Sequence, residues 1–212
     1  MMRHRGAEGQ RETELPAKLI SIIGPPAAGK TTLAEHLARE LPAEMIREDY
    51  AGNPFLAESY AGSPQARFPA QLHFLMSRVG QLSVANWFGQ GSVISDYGFC
   101  QDRIFARMRL GREEYRMYER VAGRLEGLVQ PPDLLILLDA SNETLLNRID
   151  QRGRTFERVM DAAFLSAIRN AYNEAAKAAA CPVIRIDCDT IDLRQAAARK
   201  PIIEQVHMAW KT

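Results

Sequence analysis

The chain is poor in the residues and runs that mark several broad classes of protein. Only three of its 212 residues are cysteines, Cys100, Cys181 and Cys188, and their spacing matches no metal-binding pattern. A small, odd number of cysteines without a secretory signal fits a reducing cytoplasm. No apolar run reaches the roughly 20 residues that a membrane-spanning helix needs. The composition therefore favours a cytoplasmic protein with no membrane partner.

An excess of charge of either sign is also absent, since 27 lysines and arginines face 26 acidic residues. A non-specific nucleic-acid binder is normally basic, so we expect no nucleic-acid partner. Residues 1–16 are polar and lack the apolar core of a signal peptide, which favours a flexible leader. Residues 17–212 contain no linker or internal repeat, and we expect them to form one domain.

One motif carries specific chemistry. Residues 24–31 read Gly-Pro-Pro-Ala-Ala-Gly-Lys-Thr, a complete phosphate-binding loop pattern that follows an apolar run and opens a helical one. Backbone N–H groups of such a loop, and the helix N-terminus behind it, bind phosphate oxygens. We expect Lys30 to reach the β and γ phosphates and the Thr31 hydroxyl to ligate Mg²⁺. The residues expected to hold the triphosphate are Gly24, Pro25, Pro26, Ala27, Ala28, Gly29, Lys30, Thr31 and Thr32.

Apolar segments alternate with helical patterns along the rest of the chain. We predict strands over residues 18–23, 43–47, 92–95, 133–139 and 182–187. Helices are predicted over 30–40, 70–88, 102–110, 113–129, 143–151, 158–180 and within 193–210, with loop and short helix over 51–69. This alternation predicts an α/β fold, a doubly wound five-stranded parallel sheet flanked by helices.

Several charged side chains lie where such a fold places its ligands, beyond the carboxyl ends of the strands. Glu48 and Asp96 both follow predicted strands, so we expect them to face the same cleft as the phosphate loop. Glu48 could accept a proton from an attacking hydroxyl, and Asp96 could pair with Mg²⁺. Arg148, Arg152 and Arg154 form an arginine-rich segment that could close over a triphosphate as a lid.

These residues together resemble the deoxynucleoside kinase family, most closely the bacterial deoxyadenosine and deoxyguanosine kinases. The resemblance runs from about Lys18 to at least Tyr172, most of the chain. Its pieces, in the family's order, are the loop 24–32, Glu48 five residues before Asn53-Pro54-Phe55-Leu56, Tyr60, Gln71, Phe74-Leu75, Arg78, Ser95-Asp96-Tyr97, Asp102 to Ala106, Pro132-Asp133-Leu134 and Arg148 to Glu157.

The resemblance implies ATP-dependent phosphorylation of the 5′-hydroxyl of a deoxynucleoside, with a purine favoured, in nucleotide salvage. Glu48 would be the base, Lys30 and the loop would hold ATP, and Thr31 and Asp96 would serve Mg²⁺. Gln71 and Asp102 would bond the nucleobase with Arg78 beside them, Tyr60 and Glu157 would hold the sugar 3′-hydroxyl, and Arg148, Arg152 and Arg154 would form the lid. The family also implies a homodimer.

The sequence departs from the family pattern at Asp96-Tyr97-Gly98, where many animal members carry an arginine after the acidic residue. Two other functions stay open. A nucleoside monophosphate kinase of the thymidylate kinase type shares the loop, the strand-end aspartate and the lid, but it needs more cations for its acceptor phosphate. A non-catalytic nucleotide-binding module would not need Glu48 or a lid.

Overall fold

A parallel sheet of five strands forms the centre of the protein. The computed structural model describes residues 18–41, 43–83 and 92–211. The strands are β1 (Leu19–Ile23), β2 (Glu44–Ile46), β3 (Val93–Ser95), β4 (Leu134–Asp139) and β5 (Val183–Asp187), in the spatial order β2-β3-β1-β4-β5. Every pairing is parallel. The predicted doubly wound α/β fold is confirmed, and the expected leader over 1–16 lies outside the described residues.

Helices connect the strands and cover both faces of the sheet. They are α1 (Lys30–Glu40), α2 (Leu56–Tyr60), α3 (Pro64–Gln81), α4 (Cys100–Arg109), α5 (Arg112–Leu125), α6 (Asn142–Arg152), α7 (Ala162–Lys177) and α8 (Ala196–Lys211), with 3₁₀ turns at Glu126–Leu128 and Thr155–Glu157. None of these described helices has the length and apolar character required to cross a membrane.

The predicted boundaries of α3 are wrong at its N-terminus. The helix starts at Pro64 and continues through Pro69, although the two prolines and neighbouring glycines predicted a loop. Pro64 fits the first turn, where a missing N–H costs nothing, and burial of Ala66 and Ala70 favours the helix across Pro69. The predicted extension to residue 88 falls partly outside the described residues.

One side chain of α3 and the start of a later helix also differ from what the local pattern suggests. Met76 is an apolar residue of α3 but is 56% exposed, because the buried face of this helix runs through Leu75 and Val79. Helix α7, expected from residue 158, starts at Ala162, where Asp161 caps it by accepting a 2.7 Å hydrogen bond from the Phe164 N–H.

The core explains why the strand ends converge. Every residue of β1 is buried, as are the first five of β4, which is expected of central strands covered by helices on both faces. Ile22 pairs with Ile136 in register, and Leu37 of α1 packs into the same cluster. The carboxyl ends of β1, β2 and β3 therefore meet along one edge, which carries the phosphate loop, Glu48 and Asp96.

Truncation of the core beneath α1 is expected to destabilise the domain. Leu37 is fully buried, so Leu37→Ala should lower the free energy of unfolding by about 2–5 kcal/mol in urea titrations. Met208 on α8 is 68% exposed and is the matched control, with an expected change within about 0.5 kcal/mol for Met208→Ala. Equal losses in the two variants would contradict the assigned packing of α1.

Candidate active site

The phosphate loop between β1 and α1 has a strained, tightly curled backbone. Gly24 and Gly29 have φ angles of 145° and 105°, and Ala27 also has a positive φ of 62°. A Cβ at position 24 would lie 2.2 Å from the carbonyl oxygen of Leu138, so only glycine fits there. Ala27 adopts the left-handed region at a cost of about 1 kcal/mol for a non-glycine residue. The loop thus keeps an unfavourable backbone, which is typical of a binding site.

Lys30 lies inside this loop. Its ammonium donates hydrogen bonds to the carbonyl oxygens of Gly24 at 2.8 Å and Pro25 at 2.9 Å. Burial lowers the pKa of Lys30 to about 8, although the nearby carboxylates of Glu48 and Asp96 act in the opposite direction. Phosphate oxygens in the loop would favour the charged ammonium, so this lysine suits an anionic ligand.

Asp96 joins the phosphate loop to the end of β2. Its Oδ2 accepts a 2.6 Å hydrogen bond from the Thr31 hydroxyl, and its Oδ1 accepts a 2.8 Å hydrogen bond from the backbone N–H of Glu48. The described residues contain no group of three or more His, Cys, Asp or Glu side chains that could hold a metal. Thr31 and Asp96 still fit Mg²⁺, since this ion is commonly held by one or two carboxylates together with substrate phosphates.

Arg78 of α3 is the buried cation of the site. Its guanidinium is 3% exposed and forms ion pairs with both Glu48 and Asp102. Burial opposes its charge, but the carboxylates of Asp102 and Glu48 raise the pKa of Arg78 above its ordinary value. Gln101 adds a second donor to Glu48, with 2.7 Å between its Nε2 and Glu48 Oε1. Glu48 is therefore held from two helices.

Gln71 and Asp102 meet beside Arg78. The Gln71 amide nitrogen donates to the Asp102 carbonyl oxygen at 3.1 Å and to its Oδ1 at 2.9 Å. Gln71 and Arg78 line the cavity, but Asp102 is fully buried and is not among the lining residues. Asp102 therefore lies behind Gln71 and Arg78. It does not reach the cavity surface that we expected to contact the nucleobase.

Tyr60 and Glu157 also line this cavity. The Arg109 guanidinium carbon lies 3.7 Å from the centroid of the Tyr60 ring, and Phe156 packs against that ring at 5.5 Å. Burial raises the pKa of Tyr60, so its hydroxyl stays protonated and able to donate. Glu157 is 3% exposed.

The three predicted lid arginines are brought together. Arg148 and Arg152 lie on α6, which ends at Gly153 in a left-handed conformation, and Arg154 follows. Arg152 and Arg154 both pair with Glu157, Arg152 through two hydrogen bonds. Arg148 donates to the carbonyl oxygen of Cys188 at 2.7 Å. All three line the cavity that holds Lys30.

One cavity of about 970 Å³ contains most of the predicted site. This volume lies at the upper end of the usual range for small-molecule sites and leaves room for two ligands. The expected residues that line it are Pro26 to Thr32, Glu48, Tyr60, Gln71, Arg78, Asp96, Arg148, Arg152, Arg154 and Glu157, whereas Gly24, Pro25 and Asp102 do not line it.

Sequence reasoning missed several residues that line the site, among them Gln101, Tyr172 and Arg109. Gln101 and Tyr172 form a hydrogen-bonded pair beside Glu48, and Arg109 stacks on Tyr60. A glutamine in a first helical turn and a tyrosine in an amphipathic helix are ordinary in sequence. Only the packing of α4 against α7, which no local pattern encodes, brings Gln101 and Tyr172 together.

Comparison with known proteins identifies the family of the chain. A family model described as "Deoxynucleoside kinase" matches residues 20–210. A deoxyguanosine kinase of Bacillus subtilis (strain 168) is 34% identical over 164 residues, covering 76% of this chain and 79% of that kinase. A deoxyadenosine kinase of Dictyostelium discoideum is 33% identical over 186 residues, covering 84% of this chain and 76% of that protein.

Solved structures agree on the fold. The structure of deoxyadenosine kinase from M. mycoides with the products dCMP and dCDP matches with a TM-score of 0.78 at 22% identity, covering 90% of this chain and 99% of that chain. The same kinase with bound dATP matches with a TM-score of 0.76. With the family model spanning nearly all of the described residues, the chain belongs to the deoxynucleoside kinase family of phosphotransferases.

Proposed function

We propose that the protein transfers the γ-phosphoryl group of ATP to the 5′-hydroxyl of a deoxynucleoside, with a purine favoured. The observation that carries this proposal is the position of Glu48 and Lys30 in one cavity, connected through Thr31 and Asp96. Phosphoryl transfer needs a group that orients the attacking hydroxyl and cations that stabilise the transferred phosphate. Glu48 serves the first requirement and Lys30 the second.

The donor half of the site is the phosphate loop with the lid. Lys30 and the loop backbone bind the ATP phosphates, while Arg148, Arg152 and Arg154 close over them and exclude water. Thr31 and Asp96 would hold Mg²⁺ together with phosphate oxygens. When bound, this ion neutralises charge on the phosphates.

The acceptor half binds a neutral molecule. Glu48 receives the proton of the 5′-hydroxyl. Tyr60 and Glu157 hold the 3′-hydroxyl, and Gln71 and Arg78 contact the nucleobase. Relatives named deoxyguanosine kinase and deoxyadenosine kinase support a purine. Another relative is a deoxyadenosine/deoxycytidine kinase of Bacillus subtilis (strain 168) at 29% identity. Deoxycytidine is therefore the pyrimidine nucleoside to compare with the purines.

Two arginines of the acceptor half are not free to bind the phosphate of a nucleoside monophosphate. Within the described residues, Arg78 is paired with Glu48 and Asp102, and Arg109 donates to the carbonyl and hydroxyl oxygens of Ser59 at 3.0 Å. A nucleoside monophosphate kinase would need cations free to bind its acceptor. The pairing of these two arginines favours the nucleoside over the monophosphate as acceptor.

We further propose that the chain forms one kinase domain and assembles as a homodimer. A kinase domain over 17–212 is supported by the family match over 20–210. The expected homodimer is supported by exposed apolar side chains on α3 and α5, two helices that pack together. These side chains are Met76, Met117 and Val121, which are 56%, 55% and 42% exposed. Aromatic residues and methionine are enriched at the cores of subunit interfaces.

Acceptor preference is the first test of the proposed reaction. In an ATP-coupled assay, deoxyadenosine or deoxyguanosine should give a kcat/KM at least about 10²-fold higher than dAMP, dGMP or dTMP, because the monophosphate buries a charge without a partner. Deoxycytidine tests the base preference in the same assay. Turnover only with monophosphates would identify the thymidylate kinase type, and no turnover with any acceptor would favour a binding module.

Loss of the carboxylate at position 48 should slow catalysis strongly without weakening the binding of the deoxynucleoside. Glu48→Gln keeps the size of the side chain but cannot accept the proton, so kcat should fall by about 10²-fold or more. Calorimetry should show deoxynucleoside affinity within a few-fold of wild type. Glu58→Gln changes an exposed residue of α2, is the matched control and should keep full turnover. Near-full turnover by Glu48→Gln would show that Glu48 is not the base.

Removal of the loop cation should have an equally large effect on the donor side. Lys30→Ala deletes the ammonium that stabilises the transferred phosphate, and we expect kcat to fall by at least about 10²-fold. Lys200→Ala removes an exposed ammonium on α8 and should leave both kinetic constants unchanged. Intact turnover by the first variant would refute the assignment of the phosphate loop.

A further inference from the structure

The Glu48 carboxylate is held asymmetrically. Arg78 from α3 and Gln101 from α4 both donate to its Oε1. The described residues donate no hydrogen bond to Oε2. Two donors from different helices fix the plane of the carboxylate, and Oε2 is left for the hydroxyl of a bound acceptor.

The Gln101 amide can adopt only one useful orientation here. A carboxylate accepts hydrogen bonds and cannot donate, so the nitrogen of Gln101 must face Glu48. Its oxygen then accepts a 2.9 Å hydrogen bond from the Tyr172 hydroxyl. Gln101 and Tyr172 are 4% and 1% exposed, so water does not compete for these groups.

Tyr172 is fixed as the donor of this chain. It lies on α7, and burial raises its pKa well above the ordinary value, with the neighbouring Cys100 and Glu48 acting in the same direction. Its hydroxyl therefore stays protonated. With the hydroxyl donating to Gln101 Oε1, an inverted amide would lose this bond and place its oxygen against the Glu48 carboxylate.

We propose that Gln101, oriented by Tyr172, is a positioning residue that holds Glu48 in its catalytic orientation. Gln101 acts through Glu48, so this inference rests on the proposed role of Glu48 as the base. It assigns Gln101 an effect on the rate of phosphoryl transfer and not on the binding of either substrate. A glutamine retained only for packing would affect folding instead.

The test is a double-mutant cycle between positions 101 and 48. Gln101→Met keeps the side-chain length but removes the donor, and kcat should fall about tenfold, as the loss of one hydrogen bond to a charged group implies. KM for deoxynucleoside and for ATP should stay within about twofold. In the Glu48→Gln background the same substitution should change the residual rate by less than about twofold, because Gln101 has no further route to the reaction.

Tyr172→Phe is the second variant, since it removes one oxygen atom and keeps the fold. It should lower kcat by about threefold and add nothing to Gln101→Met, because the two residues act in series. Arg107→Gln changes an exposed residue of α4 and should behave as wild type. Thermal unfolding of each variant checks that it is folded.

The outcomes separate this inference from the proposed function. Wild-type kcat in folded Gln101→Met and Tyr172→Phe would overturn the inference, as would an equal loss in the wild-type and Glu48→Gln backgrounds. A raised KM with unchanged kcat would also overturn it. If Glu48→Gln itself keeps its turnover, the assignment of Glu48 as the base and this inference fail together. If Glu48→Gln loses turnover but the variants at positions 101 and 172 keep wild-type kcat, only this inference fails and the proposed kinase mechanism stands.

Discussion

The buried guanidinium of Arg78, shared between Glu48 and Asp102, is the interaction on which the site depends. A buried charge without partners costs several kcal/mol, so this cation is tolerable only with both carboxylates in place. The three groups come from α3, the end of β2 and α4. Their pairing therefore fixes three elements relative to one another, and the position of Glu48 becomes a consequence of core packing rather than of a loop.

Asp96 connects this acceptor half to the donor half. One of its oxygens accepts a hydrogen bond from the Thr31 hydroxyl and the other from the Glu48 backbone N–H, so the phosphate loop and Glu48 share a single carboxylate. In phosphoryl transfer, most of the catalytic effect comes from positioning and electrostatic stabilisation. A side chain that spans β1, β3 and β2 at their carboxyl ends supplies such positioning from rigid strands.

Much of this architecture could be predicted from sequence because its signals are local. The phosphate loop is a contiguous pattern, and Glu48 and Asp96 follow apolar strands whose ends must meet in a parallel sheet. The start of α3 could not be predicted, because burial of its alanines outweighed Pro69. The hydrogen bonds of Gln101 and the exposure of Met76 depend on which faces of neighbouring helices meet, and no single segment contains that information.

Asp102 shows how a residue can belong to a binding site without lining it. Its carboxylate accepts from the Gln71 amide nitrogen, so among polar atoms of that amide the oxygen is the one not bonded by described residues. Because Asp102 can only accept, it determines which end of the Gln71 amide is presented to a ligand. The same carboxylate holds Arg78 against Glu48. Asp102 thus couples the orientation of the Gln71 amide, the proposed nucleobase contact, to the orientation of Glu48, the proposed catalytic base, from a position with no exposed surface.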